Sequence, residues 1–385
     1  MGMPHIPIDT LTDILSWLPV KSLKRFSCVC KSWCSMLENP TFIAQHLKNS
    51  ALKTNGGCLL LTGFDRRRLL DHDMFTFLDG KLGVSACLSV PIQAKYGVKF
   101  LGSCNGLLCL KRNLESDYLL WNPATKQHKQ IPSAEPNNGE PDHSFYDAFV
   151  GFAFVAETND YELVRVAYHC YSADQSMVAL SQVYSTSMEI WREIDSPLPC
   201  YFHQSDGCYK PCRLSRQYWP PADVKGSLYW TAYKFVGESE VNVIVGFNMV
   251  EEVFCEQAMP ELCRTKFLYR IQPVELKGSL GLIDYTPSGT IDVWVMNGSW
   301  TKQYRIAPLS SDFLGVKEIA SDIRPVGYWK SGMVVVRCSY RNYFQPLYLC
   351  GSNNLPELLP PEKRPGHYFS EVCNYIESLV PLTTK

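Results

Sequence analysis

Apolar residues in this chain change their spacing once, and that change constrains the fold more than any other feature. Up to Leu47 the spacing is helical. Ile8, Leu11, Ile14, Leu15 and Leu18 recur three or four positions apart, and Pro19 ends that helix. A second stripe, Leu23, Phe26, Cys30, Trp33 and Leu37, predicts one helix of about four turns. Asn39-Pro40 reads as a cap opening a short helix with Phe42, Ile43 and Leu47. Beyond about residue 55 the pattern shifts to short Val-, Leu-, Tyr- and Trp-rich runs bounded by Gly, Asn, Asp and Pro, such as "NGLLCLKR", "YELVRVAYH" and "GSLYWTAY". Strands of that length with frequent turns mark an all-β region.

The β region repeats loosely. A Gly-x-Leu phrase leads into a strand at Gly106, Gly226 and Gly278. A second phrase sets a polar turn after an aromatic strand, at Trp121-Asn122-Pro123, Tyr184-Ser185-Thr186, Phe247-Asn248-Met249 and Trp294-Val295-Met296. The Gly-x-Leu spacing is close to one four-stranded propeller blade of about 50 residues, which gives about six blades. A pair of β-sandwiches stays open as an alternative. A propeller must close, and "NYIESLVPL" at 374–382 is expected to pair beside the first strand, "GGCLLLTG", removing a bare edge.

Composition excludes several classes. The 385 residues carry 37 basic and 38 acidic side chains, a net charge of −1, so bulk charge offers nothing to nucleic acid or anionic membranes. The run Arg66-Arg67-Arg68 is offset by Asp65, Asp71 and Asp73. No run approaches the roughly 18 apolar residues of a membrane span, and the start lacks a signal-peptide pattern. The expectation is a soluble chain of the cytoplasm, the nucleus or both.

The sixteen cysteines are scattered through apolar runs, as free thiols are. Neither Cys28, Cys30 and Cys34 nor Cys200, His203, Cys208 and Cys212 shows the paired spacing of a zinc site, so no metal and no cofactor is expected. Asn297-Gly298-Ser299 reads as a tight turn rather than a glycan site. No nucleophile elbow, zinc-protease motif or phosphate loop occurs, so no catalytic residue is assigned.

The opening residues resemble a known module. Ile6-Pro7, Ile14-Leu15, Leu18-Pro19, Lys21-Ser22-Leu23, Arg25-Phe26, Cys28-Val29-Cys30, Lys31, Trp33, Pro40, Phe42 and His46 are similar to the F-box, with Ile6 and Trp17 as departures. The rest resembles the plant F-box-associated domain, kelch-like and including S-locus F-box proteins. "LGSCNGLLCL", "LLWNPATKQHKQIP", "VGFAFVAETNDYELVRV", "VYSTSMEIWREI" and "IDVWVMNGSWTKQYRI" follow in that family's order. The resemblance implies a small all-α module, residues 1–48, followed by a large all-β domain, residues 49–385, built as a closed kelch-like β-propeller.

It further implies a non-catalytic substrate-recognition subunit of an SCF-type ubiquitin ligase. The partners would be a Skp-family adaptor, through it cullin and RING subunits, and an unidentified protein target. A helical segment of about 45 residues cannot bury a core of its own, so its stripe must meet another surface. Either the β domain covers it, as a cap, or the adaptor does. The adaptor reading assigns Pro7, Leu11, Ile14, Leu15, Leu18, Pro19, Leu23, Phe26, Cys30 and Trp33 to docking.

Candidate target-binding residues come from the longest irregular stretch, 196–222. Tyr201, Phe202, Tyr209, Arg213, Arg216, Tyr218 and Trp219 are of types enriched in binding hot spots, or else they pin the loop to the sheets. The stretches 134–147 and 339–348 are further candidates, while Trp121, Trp191, Trp230, Trp294 and Trp300 are expected in the core. Two other readings stay open: a propeller that binds ligands or scaffolds without a ligase role, and a self-incompatibility factor recognising stylar ribonucleases. For the second, Glu135, Glu140, Asp142 and Asp147 would supply negative charge.

Overall fold

The fold is known from a computed structural model that describes residues 7–53, 58–65, 73–92, 97–112, 117–134, 144–170, 177–198, 219–267, 270–286, 290–306, 322–329, 332–339, 346–351, 356–359 and 367–382. Four helices come first: α1 (Ile8–Ser16), α2 (Val20–Phe26), α3 (Lys31–Leu37) and α4 (Pro40–Lys53). The single helix expected over Leu23–Leu37 is in fact two. Ser27 Oγ donates back to the Lys24 carbonyl at 2.8 Å, and Cys30 is extended (φ −158°, ψ 163°), so the backbone leaves the helix for one turn. Asn39 caps α4 as expected, its Oδ1 accepting from Thr41 N at 2.8 Å. That helix continues to Lys53, past the boundary read at residue 48, because nothing in "LKNSALK" breaks it.

Among the described residues, twenty-four strands form six four-stranded antiparallel sheets. The first holds β1 (Cys58–Asp65), β2 (Asp73–Leu78) and β3 (Val84–Ser89); the second holds β4 (Val98–Cys104), β5 (Leu107–Arg112), β6 (Tyr118–Asn122) and β7 (Gln127–Ile131). The third is β8 (Ser144–Val155), β9 (Asp160–Cys170), β10 (Met177–Ser185) and β11 (Ile190–Glu193). The fourth is β12 (Ala222–Val224), β13 (Ser227–Val236), β14 (Ser239–Asn248) and β15 (Val253–Ala258). The fifth is β16 (Ile271–Leu276), β17 (Ser279–Tyr285), β18 (Ile291–Asn297) and β19 (Ser299–Ile306). The sixth is β20 (Asp322–Trp329), β21 (Met333–Ser339), β22 (Leu347–Cys350) and β23 (Glu357–Leu358).

The last strand, β24 (His367–Tyr375), returns to β1, with Cys58 opposite Tyr375 and Leu61 opposite Val372, so the first sheet is built from both ends of the β region. The expected pairing of the chain's end with its first strand is present, but the strand lies upstream of the expected one. Residues 376–382 are not strand. This is the blade number and strand order of a six-bladed propeller, and it removes the β-sandwich alternative.

Turn chemistry explains the repeats. Asn105-Gly106, Lys225-Gly226 and Lys277-Gly278 each join the first and second strands of a sheet, with φ of 49° and 82°, 52° and 78°, 51° and 77°. Positive φ at both central residues is the tight turn that matches strand twist, and glycine takes the second place without strain. The second phrase is the turn between third and fourth strands. Asn122 Oδ1 accepts from the backbone of Ala124 and Thr125, and Asn248 Oδ1 from Val250 and Glu251. Asn297-Gly298-Ser299 is likewise a tight turn, between β18 and β19.

Two compact units emerge. One takes residues 1–99, 103–131 and 367–385, hence the helices, the first sheet and most of the second; the other takes 100–102 and 132–366. In the first, Leu59, Leu60, Leu61, Phe75 and Leu108 form the buried interior. In the second, Val164, Val183, Trp230, Val245 and Phe247 share one core, and Ile283, Val293, Val334 and Val336 another.

Candidate functional site

The helices fold over a core made of Leu15, Val20, Leu23, Leu37 and Phe42 together with Leu379 from the chain's end, flanked by Ala124 of the β6–β7 turn. Leu23 is 0% exposed and Leu15 3%. This corrects their assignment to a docking face: the stripe meets the chain's own β unit along that line, because one side of each short helix must be covered intramolecularly to hold the helices at all. Leu11, Leu18, Phe26 and Trp33 are half-buried at its edge, with Phe26 and Trp33 edge-to-face at 5.6 Å. Pro7, Ile14, Pro19 and Cys30 are exposed.

The outward face is apolar and basic. Ile14 is 50% exposed, Trp17 43% and Val29 64%, and Ile8 lies open beside them. Lys21, Lys24, Arg25 and Lys31 are also exposed, and residues 20–37 contain no carboxylate, while α1 adds the exposed Asp9 and Asp13. Such a surface suits a partner with an apolar groove and an acidic rim. Trp17, noted in the sequence only as a departure from the family, is the largest ring on this face; the signal that could have found it is an apolar residue at the helix end, off the buried stripe.

The bend between α1 and α2 is held from two sides. His46 is buried and lies 2.9 Å from the Leu18 carbonyl through Nε2, which must carry the proton because a carbonyl only accepts. Burial pushes its pKa down, so the ring is neutral at pH 7. Asn49 Nδ2 donates to Ser16 Oγ at 2.7 Å. On the other flank the Glu377 carboxylate accepts the Val20 N–H at 3.3 Å.

At the sheets, topology sorts the connections. Strands alternate in direction, so first-to-second and third-to-fourth turns gather at one end of each sheet. Second-to-third connections and links between sheets leave from the other. Most of the tight turns are at the first end, among them Asn105-Gly106, 123–126, 186–189, Lys225-Gly226, 249–252 and Lys277-Gly278, while the two-residue turn Gly237-Glu238 between β13 and β14 is at the other. The described ends of the links between sheets, 132–134, 194–198, 219–221 and 259–267, leave from the second. In the first unit the helices meet the tight-turn end of the second sheet, through Ala124.

Of the seven target-binding candidates, Tyr201, Phe202, Tyr209, Arg213, Arg216 and Tyr218 lie outside the described residues, as do Arg66–Arg68, Glu135, Glu140, Asp142, Cys200, His203, Cys208 and Cys212. Trp219 is described: half-buried, with a buried indole N–H that has no hydrogen-bond partner. Asp147 falls in β8. Trp121 and Trp230 are core residues, whereas Trp191, Trp294 and Trp300 are half-buried, correcting their placement in the core. Trp191 and Trp300 instead pin strand ends, donating to the carbonyls of Pro132 (2.9 Å) and Ala258 (2.6 Å).

No group of three or more metal-ligating side chains occurs among the described residues. Burial pushes the thiols of Cys263 and Cys350 up to about 12, which leaves them un-ionised and poor nucleophiles near neutrality. Among the described helices none is long and apolar enough to cross a membrane.

Comparison with known proteins follows this division. The model of the F-box domain matches residues 3–44, and that of the F-box associated beta propeller domain matches residues 77–382. Among curated proteins of Arabidopsis thaliana, the F-box/kelch-repeat protein At3g23880 is 24% identical over 90% of this chain and 92% of its own length. F-box protein At3g07870 is 28% identical over 89% and 82%, and F-box protein CPR1 is 27% identical over 85% and 78%.

Proposed function

The chain belongs to the F-box proteins whose larger part is an F-box associated β-propeller domain, and from that membership we propose that it is the substrate-recognition subunit of an SCF-type cullin–RING ubiquitin ligase. F-box proteins of this build are non-catalytic receptors, and the F-box implies a Skp-type adaptor as partner. The adaptor docks on the exposed face of α1–α3, and cullin and RING subunits join through it. The sheets hold a target protein so that its lysines stay near a conjugating enzyme bound elsewhere. The chain's contribution is effective concentration: a bimolecular transfer becomes one within a complex.

The observation that carries this reading is the bare apolar and basic face of Ile14, Trp17, Val29, Lys21, Lys24 and Arg25, on helices whose opposite side is already packed. Docking there rests on Pro7, Ile14, Trp17, Pro19 and Cys30, with Leu11, Leu18, Phe26 and Trp33 at its edge. Leu15 and Leu23 support the face from beneath. Target recognition is assigned to the sheet ends opposite the Asn105-Gly106, Lys225-Gly226 and Lys277-Gly278 turns, where the links between sheets leave, with the stretch ending at Trp219 foremost. A domain division near residue 53, where α4 ends, suits these two roles.

Mixing the purified chain with a purified Skp-type adaptor, followed by size-exclusion chromatography and calorimetry, tests the reading. A one-to-one complex supports it. Failure to associate at tens of micromolar would sink it and favour a ligand-binding or scaffolding role without a ligase.

A further inference from the structure

Residues 376–382 follow the last strand, and they are built into two structures at once. Ser378, Leu379, Val380 and Leu382 are buried. Asn122 of the β6–β7 turn, itself wholly buried, donates through Nδ2 to the carbonyls of Ser378 (3.1 Å) and Val380 (2.9 Å). Gly106 of the β4–β5 turn lies against the same segment: a Cβ there would come within 2.5 Å of the Ile376 carbonyl and 2.7 Å of Ser378 Oγ. The two tight turns of the second sheet are therefore the seat of residues 376–380.

From that seat the segment reaches into the helices. Leu379 shares the core of Leu15, Val20 and Leu23. The Glu377 carboxylate accepts the N–H of Val20, the first residue of α2, whose N-cap is Pro19 and makes no side-chain cap. A helix start lacks partners for its first N–H groups and favours a negative charge, so a residue from the chain's far end supplies the missing cap. Both backbone groups flanking Pro19 are then fixed: the Leu18 carbonyl by His46, the Val20 N–H by Glu377. Trp17 and Pro19, at this bend, belong to the exposed docking face.

We propose that residues 376–382 are a component of the adaptor-docking module, with Glu377 and Leu379 as positioning residues that set the α1–α2 bend. The proposal rests on the adaptor reading above. Its consequence is an order of assembly. The segment is placed only when β24 has paired with β1, so a chain lacking its last strand does not present a complete docking face. The adaptor selects finished receptors.

The test uses the full chain carrying Leu379→Asp, Leu379→Ile or Glu377→Gln. Adaptor affinity is read by calorimetry, and amide hydrogen exchange is followed over 18–26 and over 58–63. With Leu379→Asp, adaptor affinity falls about tenfold or more, and exchange accelerates over 18–26 while β1 stays protected. Glu377→Gln weakens the adaptor by about two- to fivefold with an unchanged melting temperature, and Leu379→Ile behaves as wild type.

Wild-type affinity and exchange in Leu379→Asp overturn the proposal. So does a lower melting temperature in Glu377→Gln with unchanged affinity, which marks a merely structural segment. Should Leu379→Asp also unfold β1, Glu377→Gln alone decides by those criteria. Should the wild type bind no adaptor, the receptor reading fails separately. Exchange over 18–26 then still decides whether the segment sets the bend.

Discussion

The Ser185 hydroxyl donates to the Asp160 carboxylate at 2.5 Å, tying the end of β10 to the start of β9. Thr186 Oγ1 (2.7 Å), Ser187 Oγ (2.8 Å), Ser187 N (3.0 Å) and Tyr161 N (2.8 Å) converge on the same carboxylate. One side chain thereby locks two tight turns of the third sheet together, 156–159 and 186–189. Asp160 and Tyr161 belong to the "NDYELV" phrase and Ser185-Thr186-Ser187 to "VYSTS", so two separated pieces of family pattern are one hydrogen-bonded knot.

Asp160→Asn is therefore expected to cost about 1–3 kcal/mol at pH 7, measured by urea unfolding, since a charged acceptor of several donors, one of them the buried Ser185 hydroxyl, is lost. Burial by itself would raise the Asp160 pKa, but the donors from Ser185, Thr186, Ser187 and Tyr161 outweigh it and hold the pKa below the ordinary 3.8. A depressed folded pKa gives stability that is present above the unfolded value and fades as pH drops through the folded one. The gap between wild type and variant should therefore narrow below about pH 4. A gap that stays constant to pH 3 contradicts the assignment.

Glu162, two residues along β9, runs the opposite way. Burial raises its pKa to about 7, partly relieved by Arg192, while Glu252 and Asp160 push it further up. The unfolded chain loses this proton near 4.5, so the folded state carries a penalty that grows between about pH 4.5 and 7 and is complete above. Glu162→Gln should stabilise the protein at pH 8 by on the order of 1–2 kcal/mol and leave it unchanged near pH 4. Unfolding curves at the two pH values check this; equal effects at both would refute it. The Arg192–Glu252 ion pair links β11 to the β14–β15 turn and remains in place in that variant.

Local chemistry is what the sequence made legible. Asn105-Gly106 and the Asn122 and Asn248 turns are decided within four or five residues, so their phrases survive in the letters and carry the sheet count. The single-helix expectation over Leu23–Leu37 failed because the apolar stripe runs on through a break made by Ser27 and Cys30, which periodicity does not register. The strand expected at 374–382 failed for a related reason. Ile376, Leu379, Val380 and Leu382 are apolar, but Leu379 packs with the helices and the Val380 carbonyl takes the Asn122 amide rather than a neighbouring strand. The buried face of α4 was read short because it turns polar after Phe42, with His46, Asn49 and Ser50 inside. Most consequential, a one-dimensional stripe does not say whether its partner is the same chain. Leu15 and Leu23 face inward, while Ile14 and Trp17, interleaved with them, face out.

That interleaving separates two kinds of variant on one helix pair. Leu23→Ala removes a fully buried side chain from a packed core and should destabilise the helical module by about 2–5 kcal/mol, with adaptor binding lost only as a consequence. Trp17→Ala removes an exposed ring and should leave the melting temperature within about 1 °C of wild type, while weakening adaptor binding by about 2 kcal/mol or more, near thirtyfold. Raising the salt concentration should weaken wild-type binding as well, because Lys21, Lys24, Arg25 and Lys31 are exposed on α2 and α3 with no carboxylate among residues 20–37. Calorimetric titration of each purified variant with the adaptor, paired with its thermal melt, reads both effects. A Trp17→Ala chain that binds like wild type would move the docking face off this bend, whereas a Leu23→Ala chain that melts like wild type would show that the buried stripe does not hold the helices.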